Sequence, residues 1–107
     1  MLKPSFTAAL TAKTLIKGSV GRIYGYHIQN PNSSDAWVQV FDAATTGAVT
    51  LGTTTPTFSL WAPTLAGLDA VFPIGLEFNN GIVVAATTTA TGSTLASTGL
   101  ITNLFYR

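Results

Sequence analysis

The sequence predicts an all-β fold, a single antiparallel β-sandwich or jelly-roll-like domain of about seven or eight short strands. Three observations lead there. Apolar and polar residues alternate with the period of two that a pleated strand imposes. Turn-forming residues recur every ~8 to 12 positions. No stretch keeps a helical apolar period for a useful length. A repeat of 20 to 50 residues, the mark of a solenoid or propeller, is absent from the sequence. At 107 residues the chain is the size of one domain, and such a chain buries roughly two-thirds of its unfolded surface without metals or disulfides.

Met1 to Leu10 contains Pro4 and is expected to be an extended N-terminal arm, with the sandwich occupying residues 11–107. Thr11 to Lys17 is a short strand ending at Gly18. Val20 to Ala43, VGRIYGYHIQNPNSSDAWVQVFDA, reads as a hairpin. Its first strand sets Tyr24, Tyr26 and Ile28 against Ile23, Gly25, His27 and Gln29; its second sets Trp37, Gln39 and Phe41 against Ala36, Val38, Val40 and Asp42. Asn30 to Asp35, with Pro31 and two serines, supply the turn. Gly25, between two tyrosines, marks a bulge or a close backbone approach.

Ala44 to Gly52 turns around Gly47 before a brief Val49, Leu51 alternation. Thr57 to Pro63 is a strand with Phe58, Leu60 and Ala62 on one face and Ser59 and Trp61 on the other. Pro56 and Pro63 bracket it, and because proline donates nothing to a ladder they belong at strand ends or on an edge. Leu65 to Asp69 reads as a loop, Ala70 to Pro73 as a short apolar piece before a bend, and Ile74 to Phe78 as a strand leading into Asn79-Asn80-Gly81. Asn-Gly between apolar segments is the strongest short hairpin signal. Ile82 to Ala86 is continuously apolar, which implies a strand covered on both faces or one carrying small residues outward. Thr87 to Gly99 is rich in Thr and Ser and reads as strand through Thr89, then loop. Leu100 to Tyr106 alternates cleanly, with Leu100, Thr102, Leu104 and Tyr106 opposite Ile101, Asn103 and Phe105, and is expected to be a central strand.

Only 8% of residues are charged, against about one-quarter in an ordinary soluble domain, while 47% are hydrophobic. An exterior this poor in charge, with a net charge of +1, tends to associate. The expectation is a protein packed against copies of itself or another protein. The same charge is too small for the basic field that phosphate backbones demand, which argues against nucleic acid. No run approaches the ~18 to 20 apolar residues of a spanning helix, and alternating segments are too few for a porin-type barrel, so no membrane partner is expected. Pro4, three Thr and Lys13 interrupt any signal-peptide core. With no cysteine there is no disulfide framework, thiolate nucleophile or zinc-thiolate site.

Chemistry is sparse. His27 is the only histidine, and although Ser33, Ser34 and Asp35 are near it in sequence, no G-x-S-x-G elbow frames them. His27 reads as a strand residue bonded to a neighbour or water. Asp35, Asp42, Asp69 and Glu77 fall on different predicted elements and read as rim charges rather than paired catalytic acids or a calcium loop. Gly18, Gly21 and Gly25 have no Lys-Ser/Thr pair after them and form no phosphate loop. Asn32-Ser33-Ser34 fits a glycosylation triplet, a pattern that arises by chance and matters only in a secretory pathway. Trp37, Trp61, Tyr24, Tyr26 and Tyr106 could stack a sugar, but such residues more often fill cores and anchor interfaces. No catalytic, cofactor-binding or metal-binding residue is assigned, and the chain is expected to be a non-enzyme.

The combination GRIYGYHIQNPNSSDAWVQVFDA, VTLGTTTPTFSLWAP, FPIGLEFNNGIVVAATTTATGST and the closing NLFYR resembles small β-rich structural proteins of tailed bacteriophages and prophages, over most of the chain from Gly18 onward. The resemblance implies a virion component assembled in the host cytoplasm: a capsid cement or decoration protein, or alternatively a fibre or tail-associated module that binds a glycan or receptor. It transfers no functional residues. The expected partners are further copies, as a homo-oligomer and a trimer above all, and the major capsid protein or another virion protein. Contacts are expected from Leu2, Pro4 and Phe6 of the arm and from Trp37, Trp61 and Tyr106.

Overall fold

The computed structural model describes residues 6–107. Eight strands follow one another: β1 (Phe6–Leu10), β2 (Thr14–Lys17), β3 (Gly21–Gln29), β4 (Ala36–Asp42), β5 (Phe58–Ala62), β6 (Gly67–Phe78), β7 (Ile82–Thr87) and β8 (Leu100–Tyr106). They form two four-stranded sheets, ordered β1-β8-β3-β6 and β2-β7-β4-β5, with every pairing antiparallel. First pairs with last throughout: β1 with β8, β2 with β7, β3 with β6 and β4 with β5. The chain is therefore one long hairpin whose apex is the β4–β5 loop, folded over so that β8 also meets β3 and β7 also meets β4. That is the jelly-roll order, and the predicted sandwich and strand number hold.

The core lies between the sheets. Ile23, Ile28, Phe78, Leu100 and Leu104 from one sheet meet Val38, Val40, Ile82 and Val84 from the other, all without solvent exposure. A second, smaller cluster sits outside the β2-β7-β4-β5 sheet, where Phe41 and Val83 pack under Val49 of the β4–β5 loop. Further along the same outer surface the β7–β8 loop folds over Gln39. Its amide donates to Thr87 Oγ1 at 2.7 Å and to the Gly92 carbonyl at 2.9 Å, while its own Oε1 is buried with no partner among the described residues. These two loops explain why β7 is buried along its whole length, as its unbroken apolar run predicts. β8 is central and β5, bracketed by prolines, is an edge; both match the sequence.

Five expectations change. The Val20–Ala43 segment is not a hairpin: β3 and β4 lie in different sheets, and residues 30–35 cross from one to the other. Asn79-Asn80-Gly81 is likewise a crossing, from β6 to β7. The loop and two short pieces expected over 65–78 are one twelve-residue strand, β6, interrupted by a bulge. The stretch expected as an arm divides, since Phe6–Leu10 is the edge strand paired with β8 and Leu10 is buried in the core. The alternation assigned to β3 also breaks, because Tyr24 is an extra residue relative to β8. That bulge brings Ile23 and Ile28 to the same inner side at odd spacing and turns Tyr24 outward. Gly25, at the bulge, has no room for a side chain: a Cβ there would lie 2.8 Å from the Ala70 carbonyl oxygen.

Side chains close both ends of the sandwich. At one end, buried Asn30 donates from Nδ2 to the carbonyls of Ser34 (3.0 Å) and Ala62 (2.9 Å), while its Oδ1 accepts from the Asn32 N–H. Asn32 in turn both donates to and accepts from the Thr98 backbone, joining three crossings. At the other end the Asp42 carboxylate accepts the backbone N–H groups of Asn79 (3.1 Å) and Asn80 (2.8 Å), with Gly81 at 3.4 Å. A Cβ on Gly81 would lie 2.5 Å from the carbonyl oxygens of both Ala43 and Lys17, so only glycine lets the three connections of this end converge.

Partial desolvation raises the Asp42 pKa, but the bonds from Asn80, Asn79 and Gly81 outweigh it and hold the carboxyl below its ordinary 3.8. A depressed carboxyl stabilises the fold above its unfolded pKa, and that contribution is lost as pH falls through the folded value. Urea midpoints measured from pH 7 to pH 2 should therefore decline more steeply below pH ~4 in the native chain than in Asp42→Asn; parallel profiles would refute the clamp. Gln39→Ala strands the Thr87 and Gly92 acceptors and should cost about 2 to 3 kcal/mol by urea unfolding, with faster amide exchange confined first to residues 88–94. A loss under about 0.5 kcal/mol would show that the amide does not hold that loop.

Candidate functional site

The outward side of the β1-β8-β3-β6 sheet carries the least expected surface. Residues in register across an antiparallel sheet share a face, so it can be read as rows. Val71, Gly25 and Phe105 form one row; Asp69, His27 and Asn103 the next; Gly67, Gln29 and Ile101 the third. Both outer rows are apolar at their ends and the middle row is polar. Val71 is 76% exposed, Phe105 and Ile101 each 40%, and Leu65, just ahead of β6, 72%.

Each apolar end frames a hollow. One, of about 280 Å³, lies between Gln29, Pro31, Leu65, Gly67 and Ile101. Leu65 holds a left-handed backbone (φ 52°), a conformation costly for leucine, and is kept there because its N–H donates to Asn32 O while the neighbouring Thr64 N–H donates to the Asp35 carboxylate. The second hollow, about 420 Å³, is bounded by Tyr24, Val71, Phe72, Pro73 and Phe105. Two irregularities build it. Relative to β3, β6 has three extra residues between Val71 and Leu76, which lift Pro73 and Ile74 away from the sheet. Gly75 completes the bulge at φ 86°, and its missing side chain leaves room for the Tyr24 ring, which a Cβ would approach to 2.9 Å. The floor is Gly25.

Ile74 stands beside this hollow at 83% exposure. Its carbonyl accepts from the Arg22 guanidinium at 3.3 Å, and Arg22 also meets Glu77 at 3.4 Å. Phe72 points inward from the same bulge and packs on Tyr26, ring centroids 6.0 Å apart. The bulge thus has one residue anchored in the core and one presented to solvent.

The residues singled out from sequence are dispersed. Leu2 and Pro4 lie outside the described residues. Phe6 belongs to β1, in register with Leu104. Trp37 and Trp61 are cross-strand neighbours on the outer side of the other sheet, Trp61 half exposed and Trp37 partly covered. Tyr106 is partly buried against the core. His27 is in register with Asp69 and Asn103, not beside the Asp35 carboxylate, which serves the Thr64 N–H. Among the described residues no three of His, Asp and Glu gather as a metal site, and no helix is long and apolar enough to cross a membrane.

Sequence reasoning missed Tyr24, Val71, Ile74 and Phe105 as a group, because the β3 bulge reverses the expected face of Tyr24 and the bend expected after Pro73 separates Val71 from Ile74. Comparison of the chain with protein-family models, curated proteins and solved structures finds no match.

If the hollow is an open apolar surface, Phe105→Ser should halve, or more, the fluorescence of an added hydrophobic dye such as ANS while leaving far-UV circular dichroism unchanged. Undiminished dye binding would place the accessible apolar surface elsewhere.

Proposed function

We propose that the chain is a non-enzymatic structural protein of a tailed-phage or prophage virion, of the capsid cement or decoration kind, which uses the outward side of the β1-β8-β3-β6 sheet to hold neighbouring protein subunits. The observation that carries this reading is the pair of hollows on one face, the larger of them apolar, with Leu65, Val71, Ile74, Ile101 and Phe105 exposed around them. Monomeric proteins seldom leave such a surface uncovered. Covering it contributes about 25 cal/mol per Å² of apolar area before ordering costs, and in a symmetric lattice each small contact is repeated. The middle row of Asp69, His27 and Asn103 supplies polar groups that fix register. Jelly rolls serve viral coats and lectins alike, so the fold is compatible with the role without selecting it.

A second reading, a fibre- or tail-associated module that binds a glycan, is favoured by one observation. Trp61 is half exposed and in register with Trp37, giving an aromatic platform on the opposite sheet. The two readings separate cleanly: loss of glycan-array binding on Trp61→Ala supports the second, whereas particle binding unaffected by Trp61→Ala supports the first.

Mass spectrometry of purified particles of the encoding phage should find the chain at a copy number set by capsid symmetry. Emptied particles should bind the isolated protein saturably, and Val71→Asp with Leu65→Asp, both at exposed positions, should reduce occupancy at least tenfold with melting shifted by no more than about 3 °C. Absence from the particle would overturn the proposal.

A further inference from the structure

We propose that the larger hollow is filled by Ile74 of a second copy of this chain, in a two-fold contact to which each copy contributes one knob and one hollow. The inference rests on reading this face as an assembly surface and names the occupant of one part of it.

Knob and hollow adjoin. Pro73 bounds the hollow and the next residue, Ile74, stands beside it at 83% exposure. When Ile74 of one copy enters the hollow of another, the second copy's Ile74 returns to the first only if a two-fold axis passes between them. A ring of three needs knob and hollow on separate patches of the surface, so this geometry favours a dimer over the trimer expected from sequence. The knob is fixed rather than floppy, because Arg22 holds the Ile74 carbonyl and the Tyr24 ring lies against Gly75. A preformed knob loses little freedom on docking.

Charge favours a copy of the same chain over a charged partner. Arg22 and Glu77 stand side by side on the rim, both partly exposed. Under a two-fold such a plus–minus pair faces its own opposite, and a net charge of +1 scarcely repels a second molecule. Pairing of β6 edges is a poorer alternative. Asp69 and Glu77 are equidistant from Pro73, so antiparallel self-pairing centred there would set carboxylate against carboxylate around a residue with no N–H.

The molecule measures 37 × 27 × 18 Å, so its broad side offers on the order of 1,000 Å² and the β6 half of it falls short of the ~800 Å² per partner of a standard interface. The dimer is accordingly weak and reversible, and it leaves the Leu65–Ile101 end free for another subunit.

Sedimentation equilibrium of the full chain from about 1 to 500 μM tests this. The mass should rise reversibly from 11.1 kDa toward twice that value, and Ile74→Asp should weaken dimerisation at least tenfold without moving the melting temperature. Because the chain has no cysteine, single thiols are clean probes. Ile74→Cys mixed with Phe105→Cys and oxidised in air should give mixed disulfide dimers, whereas Ile74→Cys mixed with Leu95→Cys, from the loop over the other sheet, should not. A chain monomeric at 500 μM, a trimer, or a dimer indifferent to Ile74→Asp would overturn the contact. A monomer that still saturates emptied particles overturns this inference and leaves the virion role standing; a dimer absent from particles does the reverse.

Discussion

Six of the seven connections in this chain cross from one sheet to the other; only β4 to β5 stays within a sheet. The rest of the structure depends on that constraint. A hairpin turn satisfies its own backbone by continuing the ladder, whereas a crossing leaves the ladder and must find other partners for its N–H and C=O groups. The chain meets this with a few short polar side chains at the two ends of the sandwich. Asn30 and Asn32 join residues 30–35, 63–66 and 98, and Asp42 gathers Asn79, Asn80 and Gly81. Because these groups reach the backbone of neighbouring crossings, they fix where each crossing runs and hence how the sheets stack.

The same constraint accounts for the bulges. β3 must place Ile23 and Ile28 in the core while pairing with both β8 and β6, and strict alternation cannot put residues five apart on one side. An extra residue in β3 and three in β6 resolve this, at the cost of pushing Tyr24 and Ile74 outward. The exposed Ile74 and the hollow beside it are thus a by-product of how the core closes. Phe72, two residues before Ile74, packs on Tyr26 against the margin of the core.

Much of this was legible in the sequence. Alternation located β4, β5 and β8 nearly to the residue, and the apolar run of β7 left a strand buried on both sides as one of two readings, the one the structure adopts. What alternation cannot carry is partnership. Asn30 to Asp35 and Asn79 to Gly81 have the composition of turns, and the same residues that bend a hairpin also bend a crossing, since both need φ values and side-chain acceptors that Asn, Asp and Gly supply. Pro73 reads as the approach to a bend because in a regular ladder it would be one, and Gly75 reads as an ordinary strand residue; in β6 both sit where the ladder is already open. Gly25 was the one local signal of the bulge, and it sits where a side chain would strike the Ala70 carbonyl. The apolar face was invisible for a related reason: its members come from three strands, and a one-residue slip in β3 decides whether Tyr24 belongs to it.

A surface this low in charge also needs protection from open-ended association, and β6 shows how it is provided. A twelve-residue edge strand is a template for pairing with any other extended chain. Here the bulge breaks its row of free N–H and C=O groups near the middle, Pro73 removes a donor there, and two of the chain's four acidic residues, Asp69 and Glu77, flank it on either side. Edge growth, which has no natural end, is thereby disfavoured, while the apolar area that remains lies on the face, in hollows of defined shape. Contacts made through shape close once the hollow is filled. A coat so short of ionised groups can therefore stay specific: what it lacks in electrostatic discrimination is supplied by where the bulges place a few rigid apolar side chains.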